Sequence, residues 1–290
     1  MDSYRHASSL DPARPVLLAG CGDLGLRVAA SLQARQQPAL GLRRSPPAGP
    51  SSPAWIQADL CRPETLTALP RSIDTVMYSP TPGARDPARY HAVFVEGLGH
   101  LLDRLQGHDL RRVVLVSSTA VYGDLDGEWG DESTVTEPLG FNGRVLLEAE
   151  QLLQRRCPQA GVVVRLGGIY GPGRLQWLRR LQQGHVRVPR QRPHWSNRIH
   201  ADDAAALLLQ LLQVAEPAPL YLGVDGQPLR LDHFYDAMAV ELGLPPPAEG
   251  PAPTGIGNKR LASARLAALG FRPRWPDAIH GCRALLANID

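Results

Sequence analysis

The stretch "VLLAGCGDLG" ends an apolar run at Gly20 and adds glycines at positions 22 and 25 before an amphipathic segment begins. In a G-x-G-x-x-G turn between strand and helix, the first glycine permits the tight turn. The second lets a diphosphate approach bare backbone, and the third lets helix and strand pack closely. The motif therefore predicts a strand over 15–20, a helix in "DLGLRVAASLQARQ", and a dinucleotide at the helix's positive end, with Asp23 and Leu24 beside it. A tight structural turn is the competing reading, and the position at a strand–helix junction with further strands behind it weighs against that.

The segments that follow repeat the same alternation. Continuous apolar runs at 38–44, 55–60, 73–80, 111–118 and 161–168 are separated by helical patterns such as "ARYHAVFVEGLGHLLDRLQ" and "GFNGRVLLEAEQLL". Runs that are apolar throughout are expected where helices cover both faces of a sheet. The fold class predicted is α/β, a Rossmann-type doubly wound parallel sheet with a smaller C-terminal substrate lobe. Expected boundaries are a flexible tail at 1–13 and a dinucleotide-binding domain at 14–168, to which a helix at 202–215 and a strand at 219–223 return. The small lobe takes 169–201 and 224–290. Within it, 170–198 reads as mostly loop with one helix, "PPPAEGPAP" as a stiff linker, and 262–269 and 277–287 as two short helices.

Composition narrows the partners. At 290 residues, 43% hydrophobic and 20% charged, the chain is an ordinary globular protein, and its formal charge of +3 is too small to imply nucleic acid. No apolar run is long enough to span a bilayer. The polar N-terminus lacks the apolar core of a signal peptide, so the expected location is cytoplasmic. Cys21, Cys61, Cys157 and Cys282 show neither metal-ligand nor redox spacing. Lys259 is the only lysine, which removes that residue type from most catalytic schemes; a solvated or helix-flanking role is expected for it.

An acidic residue about 20 positions past the glycines would grip the ribose 2′-hydroxyl of NAD. Arg43 and Arg44 stand at the end of the second predicted strand instead. A guanidinium fork suits a 2′-phosphate and stacks on adenine, so NADP is the expected cofactor and NAD the alternative. Asp59 and Leu60, placed at the end of the third strand, are candidates for the adenine edge. Asp59 capping a helix near Pro63 is the other use. Tyr78 and Ser79, where the fourth strand ends, complete the expected cofactor wall.

With those residues in view, the chain resembles the extended short-chain dehydrogenase/reductase superfamily, specifically the NAD-dependent epimerase/dehydratase family. "GCGDLG" is similar to the cofactor loop, "VSSTAVYG" to the serine motif, "GGIYGPGR" to the Tyr-Gly-Pro loop and "NRIHADDAAAL" to the His-x-Asp-Asp helix start. The resemblance implies a Tyr-x-x-x-Lys pair on the helix at 140–153, but its positions are held by Asn142 and Leu146. In this the chain resembles the atypical members that lack the dyad.

Ser118 matches the family's serine. With the tyrosine position changed, Tyr122 and Tyr170 become the candidate proton carriers, each needing a positive partner because a free tyrosine titrates near ~10. Thr119 and Ala120 disfavour sugar dehydratase chemistry. Arg174 and Arg198 are the candidates for a substrate phosphate or carboxylate. His200 reads as a loop anchor and Asp202 or Asp203 as a helix cap, with no metal site.

The implied function is an NAD(P)-binding oxidoreductase or epimerase with a non-standard acid/base. Its substrate would be a small molecule, sugar-nucleotide-like or otherwise bearing a hydroxyl or carbonyl. A non-catalytic NADP-binding sensor or regulator is the alternative. By analogy, residues 88–106 and 143–156 are candidates for a homodimer face.

Overall fold

A computed structural model describes residues 10–48 and 53–287; residues 1–9 of the expected tail lie outside them. The seven strands β1 (Val16–Ala19), β2 (Ala39–Arg43), β3 (Ala54–Gln57), β4 (Thr75–Tyr78), β5 (Arg112–Ser118), β6 (Gly161–Leu166) and β7 (Leu220–Gly223) form one sheet in the order β7-β6-β5-β4-β1-β2-β3. The sheet is parallel, with Val16 of β1 level with both Ala39 of β2 and Thr75 of β4. Every residue of β1 and β4 is buried, as expected of central strands covered on both faces. The chain winds outward in opposite directions from β1 and β4, so the crevice at their carboxyl ends is the topological switch point. The predicted fold class therefore holds. The third strand is shorter than expected, ending at Gln57, which leaves Asp59 and Leu60 in the loop beyond it.

Helix α1 (Asp23–Gln33) buries Leu24, Val28 and Leu32, a stripe spaced by four residues. The helical run after β4 starts at Pro87–His91, with Asp86 accepting from the Arg89 amide at 2.8 Å, and closes with Gly97–Arg104. Between them Ala92–Glu96 widens into a π-turn, which apolar periodicity does not reveal. Helix α2 (Phe141–Arg156) is held to β5 by the Ser117 hydroxyl, which donates to the buried Glu150 carboxylate at 2.5 Å. Helix α3 is Ala201–Gln213.

The chain divides into two units. One comprises the described residues up to Ser117 with Arg144–Val164 and Ala205–Leu220, and the other Ser118–Gly143, Arg165–Ala204 and Tyr221 onward. In the second unit, helices α4 (Leu231–Glu241) and α5 (Ala278–Leu286) pack around Tyr170, Phe234, Met238 and Cys282. The segment expected to be loop is stitched by short ladders. Gly168–Tyr170 pairs with Arg198–His200, and Trp195–Ser196 with Leu229–Arg230. The expected stiff linker contributes Ala248–Glu249 to a pair with Arg187–Val188.

Candidate cofactor cleft

The glycine loop is built as its spacing demands. Gly20 turns at φ +76°, and a Cβ there would stand 2.4 Å from the Pro80 Cα, so only glycine fits. The Gly20 and Cys21 amides both donate to the Leu42 carbonyl at 3.0 Å, tying the turn to the end of β2. A Cβ on Gly25 would meet the Cys21 sulfur at 2.9 Å, the close helix–strand packing expected of the third glycine. Gly22 is different. Among the described residues, nothing but the Gly20 carbonyl, at 3.9 Å, would approach its Cβ. It is the N-cap of α1 and, having no side chain, makes no side-chain cap there.

Gly20 and Gly22 line a cleft with Arg43, Arg44, Asp59 and Leu60, so six of the residues singled out from sequence meet in one place. The cleft also takes in Cys21, Cys61, Pro80, Thr81, Arg89 and Val93, which sequence reasoning did not single out. Arg43 lies 5.9 Å from the centre of the Trp55 ring. Asp59 accepts from the Cys61 amide at 3.0 Å and donates its own amide to Thr65 at 2.9 Å, which makes it a turn former ahead of the short helix Pro63–Ala68. Three guanidiniums face one carboxylate here, and none of the three forms an ion pair among the described residues. Such a surface favours a polyanion.

The remaining members of the expected cofactor wall lie as follows. Tyr78 is fully buried and its hydroxyl donates to the Val93 carbonyl at 2.5 Å, beneath the π-turn. The Ser79 hydroxyl oxygen is buried without a hydrogen-bond partner among the described residues. Asp23 pairs with Arg27 at 3.0 Å, and Leu24 is buried under α1.

The candidate catalytic residues belong to the second unit. Ser118 accepts from the Ala120 amide at 3.2 Å, opening the short turn Thr119–Val121. The start of α2 is pressed onto that turn, since a Cβ on Gly143 would stand 2.1 Å from the Ala120 carbonyl oxygen. Next to it the Asn142 amide oxygen is buried with no hydrogen-bond partner among the described residues. Leu146, one turn on and in the first unit, is buried as an ordinary apolar residue.

Tyr122 is buried; its hydroxyl donates to the Asp131 carbonyl at 3.0 Å and accepts from Arg165 at 2.8 Å. Tyr170 is equally buried, packs edge-on to His200, and has a hydroxyl without a hydrogen-bond partner among the described residues. Burial pushes that hydroxyl far above its ordinary range. Arg198 sits 3.9 Å above the Phe234 ring, and Arg174 is half-buried in the loop after Tyr170.

Two expectations change. Of the two candidate caps, Asp203 turns its carboxylate to the Arg274 and Trp275 amides at 2.8 and 2.9 Å, and Asp202 lies within the first turn of α3, its amide donating to His200 Nδ1 at 3.2 Å. Lys259 is not solvated but buried, donating to the carbonyls of Tyr122, Gly123 and Gly257. Among the described residues no helix is long and apolar enough to cross a membrane.

The model of the NAD-dependent epimerase/dehydratase family matches residues 16–221. A solved structure from Methylobacillus flagellatus, described as an NAD-dependent epimerase/dehydratase, superposes with a TM-score of 0.78. It is 38% identical, over 94% of this chain and 98% of its own. MoeE5 in complex with UDP-glucose and NAD superposes with a TM-score of 0.77 at 23% identity, over 94% of this chain and 98% of its own. Protein YeeZ of Escherichia coli (strain K12) is 28% identical over 277 residues, 92% of this chain and 98% of that protein.

Proposed function

The chain belongs to the NAD-dependent epimerase/dehydratase family, and from that premise we propose that it holds NADP(H) beside Gly20 and Gly22. It then acts as an oxidoreductase or epimerase on a nucleotide-linked sugar or a similar hydroxyl or carbonyl compound. The observation that carries this reading is Gly22, whose open face and uncapped helix start adjoin a cleft with three guanidiniums. Hydride transfer is the chemistry the cofactor supplies when bound. The chain's part is to seat it: Gly20 to Gly25 along the diphosphate, Arg43 and Arg44 toward a 2′-phosphate, Asp59 and Leu60 along the adenine edge, and Tyr78 with Ser79 behind the loop.

Proton handling falls to Ser118, which orients a substrate oxygen, and to a tyrosine. Tyr122 is preferred because Arg165 stands at its hydroxyl, the kind of positive partner that a lysine supplies in the family's pair. Tyr170 is the second candidate, and Arg174 and Arg198 would meet a phosphate or carboxylate on the substrate. The likeness to MoeE5, which binds UDP-glucose and NAD, supports testing nucleotide sugars first.

The test is calorimetry with NADPH and NADH, followed by a turnover screen with nucleotide sugars, aldehydes and ketones. Saturable NADPH binding is expected, with net nicotinamide oxidation on one substrate class if the chain is an oxidoreductase, or epimer formation without net oxidation if it is an epimerase. If neither dinucleotide binds, the proposal fails. A second reading, a non-catalytic NADP-binding sensor, is favoured by Asn142 and Leu146, neither of which titrates near neutrality. Tight binding without turnover, unchanged by Tyr122→Phe and Tyr170→Phe, would select it.

A further inference from the structure

We propose that Arg89 is a specificity-determining residue of the cleft: together with Arg44 it grips the 2′-phosphate of NADP(H), held in place by the Pro82 carbonyl and the Cys61 thiol. The inference rests on the NADP(H) reading above and adds a residue that the glycine loop and the end of β2 do not supply.

Arg89 enters the cleft from the first turn of the helical run that begins at Pro87. Its Nε donates to the Pro82 carbonyl at 3.1 Å and one terminal nitrogen donates to the Cys61 sulfur at 3.6 Å. The Cys61 thiol in turn donates to the Ala92 carbonyl at 3.4 Å, so the sulfur is itself fixed. Two of the five guanidinium donors are thereby used, and the fork is oriented without being neutralised. Burial pushes the Cys61 thiol above its ordinary value, against the pull of Arg89, so the sulfur stays uncharged and leaves the positive charge uncompensated.

Arg44 lines the same cleft. One of its terminal nitrogens lies 3.9 Å from where a Cβ on Gly83 would stand, next to the Pro82 carbonyl that anchors Arg89. Two guanidiniums thus flank the Pro82–Gly83 segment. Among the described residues Asp59 is the only carboxylate lining the cleft, and one of its oxygens is engaged by the Cys61 amide. Two guanidiniums lining one cleft repel each other, and an anion bound to both relieves that repulsion. A phosphate monoester, with a charge of about −1.5 to −2 and three acceptor oxygens, suits a pair of forks. A bare ribose hydroxyl offers neither the charge nor the acceptors.

The test compares the parent protein with Arg89→Met by calorimetry, using NADPH, NADH, 2′,5′-ADP and ADP, with circular dichroism to verify the fold. Removing one charge-assisted contact should weaken NADPH and 2′,5′-ADP by about 10- to 100-fold, with NADH and ADP changing by less than about 3-fold. Arg89→Lys should restore part of the loss, since it keeps the charge but not the fork. Cys61→Ala should lower the NADPH-to-NADH preference by a smaller factor.

Equal weakening of all four ligands, or no weakening, overturns the assignment of Arg89 to the 2′-phosphate and leaves the cofactor cleft standing. A parent that prefers NADH overturns it too. A parent that binds neither dinucleotide overturns the underlying NADP(H) reading, and this inference with it.

Discussion

The Arg165 guanidinium donates to the Tyr122 hydroxyl at 2.8 Å while its carbon sits 4.8 Å from the centre of the same ring, so one cation serves both the oxygen and the π-face. Both residues are buried, which makes the oxygen a costly acceptor to remove. Tyr122→Phe keeps the ring contact and deletes the acceptor, and should cost about 1–3 kcal/mol in urea unfolding. If this hydroxyl also carries the proton, turnover should fall by at least about 100-fold with NADPH affinity unchanged. Turnover within a few-fold of the parent would remove Tyr122 from the mechanism.

The first two glycines of the loop should separate folding from binding. Gly20→Ala forces a side chain into φ +76° and onto the Pro80 backbone, so a stability loss of at least about 2 kcal/mol is expected. Gly22 has φ −93°, which any residue adopts, and open space where its Cβ would stand. Gly22→Ala should therefore melt close to the parent yet bind NADPH at least about 10-fold more weakly, because the methyl occupies the diphosphate's approach. Thermal melts and calorimetry on the two variants decide it. A Gly22→Ala protein that binds NADPH like the parent would place the diphosphate elsewhere.

That contrast also marks what was legible beforehand. The glycines could be read because each solves a local backbone problem with one residue type, and the all-apolar runs because the sheet is covered on both faces. Arg89 and Cys61 could not, since they reach the cleft only through the packing of the run after β4 beside the β3 loop. The π-turn at Ala92–Glu96 leaves the apolar pattern of its run unbroken. The two-residue ladders of the second unit, such as Ala248–Glu249 with Arg187–Val188, are too short for any periodicity. Lys259 misled because its type is nearly always solvated, and only the folded chain brings three carbonyls around it.

Asp225 should make the protein less stable as pH rises toward neutrality. It is buried, one oxygen accepts from the Gln227 amide at 3.0 Å, and the other has no hydrogen-bond partner among the described residues. Burial lifts its carboxyl from the ordinary 3.8 to about 7, against the pull of the Gln227 amide and Arg198. The folded state therefore binds the proton more tightly than the unfolded state does. Stability from this group is full below about pH 4, declines through the interval, and stays low above pH 7. At 1.36 kcal/mol per pH unit the difference is on the order of 4 kcal/mol. Asp225→Asn should lack this dependence and be the more stable protein at pH 8. Urea unfolding of both from pH 4 to pH 8 is the measurement, and parallel curves would dismiss the effect.

Lys259 gives the opposite sign and a clean chemical probe. Its ammonium donates to the carbonyls of Tyr122, Gly123 and Gly257 at 3.3, 3.4 and 3.2 Å, stapling two loop segments. Burial pulls it down from 10.5 to about 8, with Asp124 acting the other way. The unfolded state holds the proton more tightly, so stability should rise between pH 8 and pH 10.5, by on the order of 3 kcal/mol. Lys259→Met should abolish that rise while losing about 1–3 kcal/mol elsewhere, because three carbonyls lose their donor. Since no other lysine exists in the chain, an amine acylating reagent has one side-chain target. Mass spectrometry should find Lys259 unmodified in native buffer and acylated in urea. Rapid acylation of the native protein would mean that the staple is open in solution.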